Sequence, residues 1–244
     1  MSDPQGLVYD QVAENYERGR TGWPPAVADG VAGETVLDLA AGTGKLTRVL
    51  VERFPHVIAV EPLAEMRRVG TLLVPRAEWL EGRAEALPLR DASVDAVFVA
   101  DAFHWFDAAA AARELARVLR PGGTLVIVFA HFDGGFRPEL RPEASDAVRR
   151  VSRRTGRTGA PKVESGEWKA GFADAPFGKL EEGEVAFEHE TDRDGVVAYY
   201  LSMSTVAARP QFERDELAAK LRELLPPTEH RVRVRAVTHR ARRL

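Results

Sequence analysis

The stretch VLDLAAGTGKLT, Val36 to Thr47, followed by VIAVEP, Val57 to Pro62, constrains the fold of this chain more than any other. Thr35 to Ala40 is apolar apart from Asp38, as a strand buried on both faces would be. Gly42 and Gly44 then interrupt it, and Leu46, Val49, Leu50 and Phe54 follow at helical spacing. A second apolar run, Val57 to Glu61, ends on a carboxylate. A strand, a glycine turn, a helix and a strand in this order predict a βαβ unit. The turn lets a ligand lie against main-chain atoms at a helix N-terminus. Glu61 stands where a carboxylate accepts hydrogen bonds from ribose hydroxyls, so the unit implies a nucleoside-containing ligand.

Three glycine-loop templates compete for this string. The dinucleotide fingerprint G-x-G-x-x-G asks for a small residue where the chain has Thr47. The phosphate loop G-x-x-x-x-G-K-[ST], anchored on Gly44 and Lys45, puts Leu39 at its first glycine and Leu46 at its hydroxyl. What remains, with Asp38 inside the strand and Ala40, Gly42 and Gly44 after it, resembles the first motif of class I S-adenosylmethionine (SAM)-dependent methyltransferases. SAM has no pyrophosphate, so a third glycine is not required.

Further elements follow in alternation. Leu63 to Val74 reads as a helix, Ala77 to Glu81 as a third strand, Val94 to Ala100 as a fourth and Thr124 to Ala130 as a fifth. The Ala-rich helix Asp107 to Leu119 between the last two is stopped by Pro121, Gly122 and Gly123. Residues 131 to 176 are rich in Gly, Pro and Arg, with one expected helix from Pro142 to Arg154. Strand Val185 to His189, a helix from Asp192, a helix Glu213 to Leu225 and strand Val232 to Val237 complete the reading. Arg231, Arg233 and Arg235 alternate with apolar residues, and a half-exposed strand accounts for that better than a nucleic-acid surface does. The expected fold is α/β and Rossmann-like, with a seven-stranded mostly parallel sheet, helices on both faces, an antiparallel final strand and an insertion after the fifth strand. We read one domain: an N-terminal helical lid (1–34), a cofactor-binding core (35–130), a substrate-side insertion (131–179) and a C-terminal part of the sheet with its helices (180–244).

Composition narrows the partners. A formal net charge of −3 gives no general attraction to nucleic acid or anionic membrane. The absence of cysteine removes disulfides, thiolate metal sites and a cysteine nucleophile together. The N-terminal MSDPQGLVYD lacks a basic region followed by an apolar run, and no later stretch approaches the ~20 apolar residues of a membrane span. The expectation is a cytoplasmic protein acting on a small molecule, with its oligomeric state left open.

The resemblance extends beyond the first motif. EGRAEALPL (81–89), DAVFVADAFHWF (95–106) and LRPGGTLVIVF (119–129) resemble the later segments of the same family in the right order. The AFHWFD ending and the preamble NYERGRTGWP (15–24) resemble the type-11 or trans-aconitate-methyltransferase-like members, which act on small molecules. Thr21 and Trp23 stand where that preamble usually has proline and tyrosine. The resemblance implies SAM as cofactor. Asp38 and groups around Ala40, Gly42 and Gly44 would hold its amino-acid portion, and Glu61 its ribose. Pro62 and Met66 would flank the adenine, with Ala84 and Glu85 at its edge. Tyr16 and Arg20 would close over it, and Ala100 and Phe103 would complete the pocket. Asp38 has the alternative of a structural carboxylate capping the turn, and Tyr9 and Tyr16 that of packing residues.

Asp101, His104 and Trp105 leave the fourth strand at the edge where open α/β sheets bind ligands. His104 is the candidate general base, because an unperturbed imidazole titrates at ~6.5; a packed or pocket-lining histidine is the competing account. Asp101 is the second catalytic candidate, and His131 a further base. No third ligand accompanies His104 and Asp107, so no metal site is expected. Arg137, Arg141 and Arg153 could hold a carboxylate acceptor, or be solvated. The reading is methyl transfer to a small molecule, with oxygen favoured over nitrogen or carbon; the alternatives are an NAD-type oxidoreductase and a non-catalytic nucleoside-binding module.

Overall fold

The computed structural model describes residues 9–10, 12–132, 142–143, 146, 150, 163 and 165–244. The strands are β1 (Thr35–Leu39), β2 (His56–Val60), β3 (Glu78–Leu80), β4 (Val94–Ala100), β5 (Leu119–Phe132), β6 (Glu181–Thr191) and β7 (His230–Arg242). They form a seven-stranded sheet in the order β3-β2-β1-β4-β5-β7-β6. Pairing is parallel from β3 through β5, and β7 runs antiparallel to both of its neighbours. The predicted class and the antiparallel final strand are both present.

Alternation within the central strands builds two cores. Leu37, Leu39, Val97, Val99, Leu125 and Ile127 face one side, and Val36, Ala96, Phe98, Val126 and Val128 face the other. A strand apolar in both registers is buried on both faces, which requires helices above and below. Helix α4 (Ala108–Val118) covers the first face through Ala111 and Leu115, and its N-terminus is capped by Asp107, whose Oδ1 accepts from Ala110 N–H at 3.1 Å. The second face is covered by Leu46, by Leu50 of the short helix α2 (Thr47–Leu50) and by Phe54. Helix α3 (Ala64–Leu73) follows β2 and carries Met66 and Val69 to a smaller cluster with Ala13 of α1 (Ala13–Gly19).

The C-terminal helices are α5 (Arg193–Leu201), α6 (Ser204–Ala207) and α7 (Gln211–Leu224). Asp192 caps α5 by accepting from Gly195 N–H at 2.8 Å. A third cluster joins Val197 and Leu201 of α5 to Leu217 and Leu221 of α7 and Val232 of β7. Helix α1 lies directly on α5: a Cβ at Gly19 would collide with the backbone of Ala198 and Tyr199. Only glycine allows that approach.

Several expected boundaries move. The fifth strand runs from Leu119 rather than Thr124, because Pro121 to Gly123 are absorbed by an irregularity in its pairing with β4. The last two strands are also longer than expected, since β6 and β7 pair with each other over eleven positions that alternate between exposed and covered. The helix expected from Pro142 to Arg154 falls mainly outside the described residues, as do Arg137, Arg141 and Arg153.

Candidate active site

The chain runs outward from β1 to β2 in one direction along the sheet and from β4 to β5 in the other, so a crevice opens past the carboxyl ends of β1 and β4. Both strands exit through residues with left-handed backbone, Ala40 at φ 55° and Asp101 at φ 49°. A cavity of about 490 Å³ occupies this crevice. Gly42, Glu61, Pro62, Met66, Ala84 and Glu85 line it on the β2–β3 side. Ala100, Asp101, His104, Trp105, His131 and Phe132 line it on the β4–β5 side. Tyr9, Tyr16 and Arg20 cover it from the N-terminal segment.

Glu61 is the hub of the first side. Its Oε2 accepts from Gly42 N–H at 2.8 Å and its Oε1 from Leu63 N–H at 2.9 Å, so one carboxylate ties the glycine turn to the start of α3. It is buried, and burial pushes its pKa up to about 7 against the pull of those two bonds and of Arg67. Each oxygen retains capacity for another donor. A Cβ at Gly42 would meet only Met66 Cε at 3.7 Å and Tyr16 Cε1 at 3.8 Å, so the turn is open to the cavity. A buried acceptor pair beside an open glycine turn, with Pro62 and Met66 as apolar flanks, fits a nucleoside.

Asp38 and Gly44 support the glycine turn from outside the main cavity, Asp38 in the structural role named above as its alternative. Asp38 does not line the main cavity; its Oδ2 accepts from Thr47 Oγ1 at 2.6 Å with both residues buried. It thus anchors the turn to α2, and it borders a small adjoining chamber of about 30 Å³ with Arg20, Lys45 and Asp101. Burial raises its pKa to about 7, with help from Glu61. Gly44 faces away from the cavity toward Val74 and Trp79, where a Cβ would lie 2.9 Å from Val74 Cγ2. Its requirement for glycine comes from this packing and from a left-handed φ of 86°.

On the second side, Asp101 Oδ1 accepts from Ala130 N–H at 2.8 Å, fastening the exits of β4 and β5 together. Burial lifts its pKa to about 6. His104 sits in a short 3-10 turn, Phe103–Trp105, with its ring 4.7 Å from that of Trp105 and 6.0 Å from that of Phe129. Phe103 is not a pocket residue. Its fully buried ring packs on Phe106, Trp168 and Phe172 beneath α4. Strand β4 ends at Ala100 as expected, and the short turn that follows it carries the Phe103 ring into the core.

Arg20 is clasped between the rings of Tyr16 and Tyr199, at 5.4 and 5.0 Å from their centroids. It also donates from Nε to Ser202 Oγ at 2.9 Å and from Nη2 to the Ser202 carbonyl at 3.1 Å. Burial lifts the Tyr16 hydroxyl above its ordinary range. Glu85 lines the cavity but uses Oε1 to accept from Asp107 N–H at 3.0 Å. Sequence reasoning did not single out Tyr199, Met203, Phe129 or Phe132 as wall residues. The pattern around α5 is apolar on every side and carries no signal of which face meets a ligand. No group of three His, Cys, Asp or Glu suited to a metal occurs among the described residues. Nor is any described helix long and apolar enough to cross a membrane.

Comparison with known proteins agrees with this geometry. A methyltransferase domain family matches residues 37–127. An uncharacterized methyltransferase of Mycobacterium tuberculosis is 38% identical over 225 residues, covering 90% of this chain and 86% of the relative. A trans-aconitate 2-methyltransferase of Azoarcus is 41% identical over 96 residues, 38% of each chain. Among solved structures, a candidate type II methyltransferase from Anaeromyxobacter dehalogenans aligns with a TM-score of 0.64 and 28% identity over 92% of this chain and 97% of that one.

Proposed function

The chain belongs to the class I SAM-dependent methyltransferases, and from that premise we propose that it methylates a small-molecule acceptor, at oxygen in preference to nitrogen or carbon. The observation that carries the reading is one continuous cavity joining Glu61 and Gly42 to His104. When bound there, SAM supplies an electrophilic methyl group on a sulfonium and departs as a neutral thioether. Glu61 would accept from the ribose hydroxyls, Pro62 and Met66 would flank the adenine, and Ala84 and Glu85 would border its edge. Ala40, Gly42 and Ala100 would provide the backbone floor, while Tyr16 and Arg20 would cover the ligand. Asp38 and Gly44 act at one remove, by fixing the turn.

Because the positive charge is dispersed rather than created during transfer, the protein's work is to orient the acceptor and exclude water. His104 is the base: its imidazole takes the acceptor's hydroxyl proton as the new bond to oxygen forms. Asp101 holds the strand exits that carry His104 and is a positioning residue. The test is His104→Ala, with turnover of labelled SAM against source-lysate fractions and S-adenosylhomocysteine (SAH) affinity measured separately. Turnover should fall about 10²-fold or more with SAH affinity kept within threefold. Equal turnover in the variant removes the base, and a well-folded protein that fails to bind SAH removes the whole reading.

A further inference from the structure

The cavity is chemically lopsided. Its β4–β5 side is walled by Trp105, Phe106, Phe129, Phe132, Tyr199 and Met203, with Tyr9 set edge-on to Trp105 at 6.3 Å. Among the described lining residues the cations are Arg20 and Arg83. Arg83 lies beside Ala84, past β3 on the Glu61 side. Arg20 is committed to two aromatic faces and to two bonds with Ser202. Asp101 also lines this side, while Glu61 belongs to the nucleoside side.

Among the described residues, an anionic acceptor would therefore exchange its water for aromatic walls and the Asp101 carboxyl, without the paired Arg or Lys donors that compensate a buried carboxylate. A flat, neutral ring meets edges and faces suited to it, and the two imidazoles of His104 and His131 supply the few polar contacts needed for orientation. Resting on the methyltransferase reading above, we propose that the acceptor is an uncharged, ring-bearing and largely apolar molecule with a hydroxyl, and that Trp105 is one of its specificity-determining contacts. This separates the chain from the carboxylate-bearing acceptor named in its trans-aconitate 2-methyltransferase relative.

Calorimetry on the full chain tests it, using 2-naphthol, 2-naphthoate and trans-aconitate as probes at pH 7.5, with and without saturating SAH. The expected result is 2-naphthol at least tenfold tighter than either anion. Trp105→Ala should weaken 2-naphthol about tenfold, Trp105→Phe less than threefold, and neither should alter SAH affinity more than threefold. Circular dichroism checks that both variants are folded, and the ring-retaining variant carries the test if the alanine variant is not. Either anion matching 2-naphthol, or a folded Trp105→Ala protein with unchanged 2-naphthol affinity, overturns the proposal. Absence of SAH binding with the 2-naphthol preference intact would instead sink the methyltransferase reading and leave the acceptor class standing.

Discussion

Replacing Glu61 with Gln changes one oxygen for an amide nitrogen and should separate the ligand-binding role of that residue from its structural one. In the ligand-free protein the two carboxylate oxygens accept from Gly42 and Leu63 N–H. Gln offers one acceptor, so one of those donors loses a partner, at a cost of about 1.5–3 kcal/mol for a bond to a charged group. Against this stands the cost of burying the charge. With the pKa lifted from 4.5 to about 7, ionisation at pH 8 is opposed by about 3 kcal/mol, and Gln removes that opposition. The two effects nearly cancel, so the ligand-free melting temperature at pH 8 should stay within about 4 °C of wild type. Cofactor affinity has no such compensation: a lost charged acceptor weakens SAH binding by about 10- to 150-fold. At pH 5.5 the wild-type carboxyl is itself protonated and resembles the amide, so the affinity ratio should shrink toward one. Calorimetric titration of SAH at pH 5.5 and pH 8, with thermal melts alongside, measures all three quantities. A ratio below threefold at pH 8, or one that does not shrink at pH 5.5, refutes the reasoning.

Two further outcomes follow from geometry already described. Asp38, Glu61 and Asp101 all have folded pKa values raised above their ordinary ones, to about 7, 7 and 6, so these three groups hold more protons in the folded chain than in the unfolded one between about pH 4 and 7, an effect that His189 and His239, lowered by burial, offset in part. Stability of the ligand-free protein should fall as pH rises through that window, and melting curves that improve steadily from pH 5 to pH 8 would contradict it. Gly44→Ala, with φ at 86° and a Cβ 2.9 Å from Val74 Cγ2, should lose about 2–4 kcal/mol of stability in denaturant melts. Gly42→Ala should lose about 1–2 kcal/mol, and it should weaken SAH binding directly because its Cβ enters the cavity. Similar stability losses in the two variants would dissolve the distinction between a packing glycine and a ligand-facing one.

The parts of this molecule legible in its sequence are those where one residue type answers one physical demand. Runs such as Val94 to Ala100 must be strands buried on both faces, and Gly42 and Glu61 mark the edge where such strands meet a ligand. Legibility fails where the demand comes from elsewhere in the chain. Nothing local distinguishes Phe103, which packs under Trp168 and Phe172, from Trp105 two residues on, which lines the cavity. Gly42 and Gly44 look equivalent as a motif, yet one borders the ligand space and the other borders Trp79. Tyr199 joins the site only because Gly19 lets α1 settle on α5, a contact between segments some 180 residues apart.

The position of β7 carries a consequence for how the chain is made. It follows every other strand in sequence but sits inside the sheet, hydrogen-bonded to β5 on one edge and to β6 on the other. During vectorial synthesis β5 and β6 must wait with open edges, separated by a slot one strand wide, until His230 to Arg242 emerge and slide into it. Shortening the chain before that segment would therefore remove a keystone rather than a margin, leaving open the edge of β5 and both edges of β6 where the complete sheet leaves the outer edge of β6 at this end.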